Sequence, residues 1–160
     1  MTRIGVAGHM NITADTAVLV YDEITRMLAA AGPSSELVGI SCIARGADSV
    51  FAQAVLDLGG RLEVVLPCRS YRERKVKPDH AEQFDALLAR ADVVNVLDFD
   101  VAGAEAYEAA NESLVGSSDR LIAVWDGKPS EQGGTGTVVE FAQSKGVPVD
   151  VVWPAGSTRA

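Results

Sequence analysis

The chain has 160 residues, enough for one domain that buries roughly 70% of the surface its unfolded chain exposes. Its 48% hydrophobic and 22% charged residues describe an ordinary globule. The net charge of −8 argues against a large phosphate-tracking surface, so no nucleic-acid partner is expected.

One small nucleotide remains compatible with that charge, because backbone N–H groups bind phosphate without a basic surface. No secretory signal precedes the first strand-like run, and no apolar run approaches the roughly 18–20 residues of a membrane span. A cytoplasmic location without a membrane partner is therefore expected. Cys42 and Cys68 each adjoin an apolar run; two isolated cysteines form neither a disulfide framework nor a metal motif.

Short β-branched runs alternate with longer amphipathic stretches. Arg3–Ala7 reads as the first strand and empties into Gly8-His9-Met10-Asn11. Gly8 suits close approach of backbone to a ligand. His9 fits a phosphate or ribose contact and a structural role equally well. A helix follows over Ala14–Ala31, with Val18, Tyr21, Ile24, Thr25 and Leu28 on its apolar face. Glu36–Ile43 is the second strand. It runs into Ala44-Arg45-Gly46-Ala47-Asp48, where Gly46 permits a tight turn into a helix over Arg45–Leu58. In that loop Arg45 offers charge-assisted bonds to an anion and Asp48 a helix cap.

The third strand, Arg61–Leu66, precedes the one strongly basic run, Arg69 to Lys77. That run reads first as a solvated loop balancing nearby acids, and second as a lid over an anion. His80 lies in a charged segment and is expected to be solvated. A helix over Ala81–Arg90, a strand over Asp92–Leu97, a helix over Gly103–Leu114 and a strand over Leu121–Trp125 continue the alternation. Asp126 after the fifth strand suits a ribose hydroxyl or a backbone turn.

Next comes Gly133-Gly134-Thr135-Gly136-Thr137-Val138-Val139-Glu140, which opens a helix over Gly136–Lys145. Its glycines let backbone approach a ligand, the helix start offers unpaired N–H groups and partial positive charge, and Thr135 and Thr137 add donors. A carboxylate, Glu140, follows about one turn into the helix. The whole reads as a phosphate cradle. Pro148–Trp153 closes the series.

The alternation predicts a single three-layer α/β domain over residues 1–153, with a mostly parallel sheet of about six or seven strands. Residues 154–160 read as a flexible tail. Such sheets bind ligands beyond the carboxyl ends of their strands, and the cradle is at that end.

Gly5-Val6-Ala7-Gly8-His9, Ala44-Arg45-Gly46-Ala47-Asp48, Leu66-Pro67, the run Ser118 to Gly127 and the Gly133–Glu140 cradle together resemble the SLOG superfamily of Rossmann-like proteins. That grouping includes the LOG phosphoribohydrolases, DNA-processing proteins and nucleotide-sensing domains. The resemblance spans nearly the whole chain and implies a Rossmann-like domain that binds a small-molecule nucleotide and assembles as a homo-oligomer. No cofactor or metal is implied. The implied nucleotide-binding residues are Gly8, His9, Arg45, Gly46, Asp48, Asp126, Gly133, Gly134, Thr135, Gly136 and Thr137.

In the hydrolase branch the pattern Pro-Gly-Gly-x-Gly-Thr-x-x-Glu carries a catalytic glutamate that works with an arginine on the preceding helix. This chain matches from Gly133 to Glu140, with Gln132 in place of the proline. The helix Ala104 to Glu112 holds no arginine, and the family position falls near Ala110. Binding of a nucleotide is therefore the first reading. Release of a base from a nucleoside 5′-monophosphate, with Glu140 as the catalytic carboxylate, is the second.

Overall fold

The structure is a computed structural model and describes residues 1–129 and 134–160. In chain order the elements are β1 (Thr2–Gly8), α1 (Ala14–Ala30), β2 (Leu37–Ser41), α2 (Ala47–Asp57), β3 (Arg61–Leu66), α3 (Tyr71–Lys75) and α4 (Pro78–Ala89). They continue with β4 (Val93–Val96), α5 (Ala104–Gly116), β5 (Arg120–Val124), α6 (Thr135–Ser144) and β6 (Val149–Val152). A three-residue 3-10 turn, Ser34–Glu36, leads into β2.

All six strands are parallel, in the order β4-β3-β2-β1-β5-β6. Parallel strands need crossover helices, and these bury both faces of the sheet. Alternation along β1 sorts its side chains between the layers. Ile4 and Val6 pack with Val20, Ile24, Leu28, Phe51 and Val55 of α1 and α2. Ala7 packs with Ala110, Leu114, Val138 and Ala142 of α5 and α6 on the other face. A third cluster joins β3 to α2 and α4 through Leu62, Val64, Phe84 and Leu87. The strand order reverses at β1, whose neighbours are β2 and β5, and this opens a crevice at the carboxyl ends. The result is the expected three-layer Rossmann-like domain.

Several local expectations differ from the structure. The buried stripe of α1 is Thr16, Val20, Ile24 and Leu28, while Val18 is 62% exposed. At about 100° per residue, Val18 lies about 120° round the helix from Ile24, and Val20 only about 40°. The basic run is partly helical, as α3, and two of its arginines meet acids. Arg69 pairs with Asp98 and Asp100, and Arg72 with Asp85. Helix α4 begins three residues before the expected start, with Pro78 in the first turn where a missing N–H is harmless.

His80 is buried, not solvated. Its Nε2 sits 3.1 Å from the Ile43 carbonyl oxygen and 3.4 Å from Ser49 Oγ. The segment expected to fray is hydrogen-bonded to the start of α1. Arg159 bridges Ile12, the Thr158 N–H donates to Thr16 Oγ1 at 2.7 Å, and the Ala160 N–H donates to the Asn11 carbonyl at 2.6 Å. Both cysteines are free thiols. Among the described residues no helix is long and apolar enough to cross a membrane.

Candidate functional site

Two glycines bring the first turn of α2 against the end of β1. A Cβ on Gly8 would stand 2.4 Å from Ala47 Cβ and 2.8 Å from Val124 Cβ. Gly46 has φ +81°, and a Cβ there would stand 2.6 Å from the carbonyl oxygens of His9 and Met10. The Ala47 N–H accordingly donates to the His9 carbonyl at 3.1 Å. The preceding loop is stitched by side chains. Ser41 Oγ accepts from the Ile43 N–H and donates to the Asp48 carbonyl, and Ser49 Oγ donates to the Ala44 carbonyl. These bonds hold Ile43 at φ +46°, a conformation open to few branched residues, and so fix the direction in which Asp48 leaves the helix.

A cavity of about 320 Å³ lies over this junction, walled by the ends of β1 to β3 and by α2, α3, α5 and α6. Of the sequence-derived candidates, Gly8, Asp48, Gly134 and Thr135 line it. Thr135 is only 7% exposed, no hydrogen bond engages its hydroxyl among the described residues, and no side chain caps the start of α6. Much of the remaining wall comes from Tyr71 and Lys75 of α3, members of the basic run, and from Tyr107 and Asn111 of α5, which carry no sequence signal of their own. Each of the first two pairs is four apart, one turn along a helix face. Lys75 is the one lysine or arginine among the described lining residues.

The other candidates sit elsewhere. His9 is 6% exposed, with Nε2 accepting the Asp126 backbone N–H at 3.1 Å and its ring edge-on to Trp153. Burial, then the nearby Arg159, lowers its pKa, outweighing Asp126. The ring is therefore a neutral clasp between the ends of β1 and β5. Asp126 also accepts from the Lys128 N–H at 3.0 Å and lies 3.7 Å from Arg159, so it serves the turn. Arg45 pairs with Asp79 at 3.1 Å beside the cavity, and Gly46 makes the turn below it. Gly136, Thr137 and Glu140 line a separate depression of about 340 Å³ with Trp125 and Gly127. Gly133 lies outside the described residues. Ala110, where the hydrolase branch would place its arginine, is in the cavity wall without Glu140.

Burial sets the charge state of the wall. It pushes the Asp48 carboxyl up to about 7, a hydrogen bond with the Ala44 backbone offsetting part of the effect. The Cys42 thiol and the Tyr71 and Tyr107 phenols are also raised, chiefly by burial. At neutral pH the cavity thus has an apolar, hydroxyl-bearing body, a half-charged carboxyl, one ammonium and an open helix start.

No protein-family model matches the chain, and no curated protein is significantly similar to it in sequence. Solved structures are similar. DNA processing protein A (DprA) from Streptococcus pneumoniae superposes with a TM-score of 0.73 at 19% identity, over 98% of this chain and 52% of that one. The Helicobacter pylori DprA, described by its single-stranded DNA binding mode, gives 0.68 at 18% identity, over 99% and 68%. The molybdenum cofactor carrier protein of Chlamydomonas reinhardtii gives 0.60 at 20% identity, over 94% and 75%. The chain shares with these proteins a three-layer α/β fold built on one parallel sheet.

This chain spans about half the length of the S. pneumoniae protein. The expectation that its acidity excludes nucleic acid does not stand. A fold matched over 99% of this chain belongs to the H. pylori protein, which binds single-stranded DNA. Net charge sums a whole surface, whereas binding is local. Here Arg45, Lys75 and Lys77 gather around one small depression beside the cavity in spite of the overall charge of −8.

Proposed function

We propose that this domain belongs to the SLOG superfamily and binds a nucleotide or nucleotide-derived small molecule in the cavity at the strand ends. The observation that carries the reading is Thr135, a buried residue whose hydroxyl has no hydrogen-bond partner among the described residues, at a helix start without a side-chain cap among them that opens into that cavity. A phosphate placed there meets backbone N–H groups, the helix dipole and a hydroxyl, with the Lys75 ammonium in the lining of the same cavity. Tyr71, Tyr107 and Val138 offer apolar surface for a base or sugar, and Asp48 and Asn111 offer groups that can both donate and accept. Concave, largely apolar sites with a few convergent polar groups are where small ligands bind.

A catalytic role for Glu140 is not part of this reading, since its side chain lines another depression and Ala110 brings no charge to the cavity. A cytoplasmic setting, where nucleotides are abundant, goes with it. The test is a thermal-shift screen of the protein against AMP, GMP, CMP, UMP, ADP-ribose, NAD and a single-stranded oligonucleotide. A ligand at 100 times its dissociation constant adds about 2.7 kcal/mol, which for this size moves the melting point by roughly 5–10 °C. Stabilisation by at least one of these that is lost in Gly134→Val supports the reading. No shift with any compound overturns it.

A further inference from the structure

We infer that the site has two lobes and takes a dinucleotide unit, its phosphate in the cavity already described and its second base in a groove between α5 and α6. The inference rests on the nucleotide reading above and extends it to the class of ligand. The groove encloses about 330 Å³ and is lined by Tyr107, Asn111 and Val138 together with Glu108, Glu112 and Phe141. Tyr107, Asn111 and Val138 also line the first cavity, so the two spaces share one wall. Either space alone is at the low end of small-molecule sites, and a mononucleotide fills one of them.

Helical spacing builds the partition. Tyr107 and Asn111 are four apart on α5, and form the ridge between the lobes. Ala104, Glu108 and Glu112 form the adjacent row, which faces only the groove. On α6, Thr137 and Phe141 are likewise one turn apart and complete the opposite wall. Lys145 lies with its Nζ 5.6 Å from the Phe141 ring centroid, outside the groove lining.

The lobes differ in chemistry. The first has an uncapped helix start and the ammonium of Lys75. The second has two carboxylates and, among its described lining residues, no lysine or arginine. A phosphate is repelled from the second lobe, while exocyclic amino groups of a base find acceptors there and ring faces find Tyr107 and Phe141. At the ridge, Asn111 presents both a donor and an acceptor to the linking group. The site so composed prefers a second base that carries an amino group.

The experiment compares AMP, the 5′-phosphorylated dinucleotide pApA and its counterpart pApU by isothermal titration calorimetry. Stacking one further base is worth roughly 1–3 kcal/mol, or about 5- to 150-fold in affinity. The expected order is pApA tightest, pApU between, AMP weakest, with the preference for pApA over pApU lost in Glu108→Gln/Glu112→Gln. A 5′-phosphorylated (dA)10 strand binding as well as pApA assigns the unit to a strand end, and one binding tenfold worse assigns it to a free dinucleotide. If AMP binds and pApA binds no tighter, the second lobe is refuted and the nucleotide site stands. If neither binds, the nucleotide reading falls with it.

Discussion

Asparagine in place of Asp48 removes a carboxyl that burial holds near neutrality, and its effect on stability should depend on pH. The folded-state pKa is raised to about 7 from an ordinary 3.8. Between those values the native protein holds a proton that the unfolded chain has released, so stability falls as pH rises. The contribution is whole below about 3.8 and gone above about 7. A shift of about three units at about 1.4 kcal/mol each sets a ceiling near 4 kcal/mol. Asp48 is half-buried at a cavity wall, which water reaches, so about 1–2 kcal/mol is the expected share.

Asparagine keeps the shape and can still accept from the Ala44 backbone, but it cannot ionise. Around it, Cys42 and Tyr71 have raised pKa values and remain neutral at pH 8, leaving Lys75 as the facing cation. Thermal melts by circular dichroism at pH 5 and pH 8 read the difference. Asp48→Asn should gain about a third as much over the parent at pH 5 as at pH 8, where it should melt roughly 2–8 °C higher. A variant less stable than the parent at pH 8 would refute the reasoning. It would mean that the folded protein relies on an ionised Asp48, as a cap of α2.

Three further outcomes follow from the same geometry. Gly8→Val places branched carbon where a Cβ already stands 2.4 Å from Ala47 Cβ, and should lower stability by about 1–3 kcal/mol in denaturant melts; an unchanged midpoint contradicts the close β1–α2 junction. His9 should titrate below 6.5 by NMR with its proton on Nδ1, and its neutral burial makes stability fall as pH drops from about 6.5 through that lowered value; a pKa above 6.5 contradicts the neutral clasp. Lys75→Glu, at an exposed position, should leave the melting point within about 2 °C while weakening binding of the stabilising nucleotide at least about tenfold; equal affinity removes Lys75 from the phosphate wall.

The strands were legible to within two residues because parallel strands buried on both faces read as β-branched runs between turn residues. Cavity residues that belong to local turn chemistry were legible too: Gly8 beside a strand end, Asp48 in the first turn of α2, Gly134 and Thr135 at a glycine-rich helix start. Tyr107 and Asn111 were not, and Tyr71 and Lys75 showed only as members of a basic run read second as a lid, since the role of each depends on which helix face the tertiary packing turns toward the crevice. Glu140 shows the same limit from the other side. It is five residues beyond Thr135, about 140° round the helix, whereas Val138 is about 60° away and shares the cavity. The acidic net charge misled about nucleic acid because it averages over positions that the fold separates.

A phosphate held at the start of α6 in the strand-end cavity would show in amide chemical-shift mapping during titration with 5′-phosphorylated nucleotides. Saturable shifts are expected at Gly134, Thr135 and Lys75, with Asp48 and Asn111 affected and the exposed strand β4 silent. Saturable shifts centred instead on Glu140, Trp125 and Gly127, with the Thr135 amide unmoved, would contradict it.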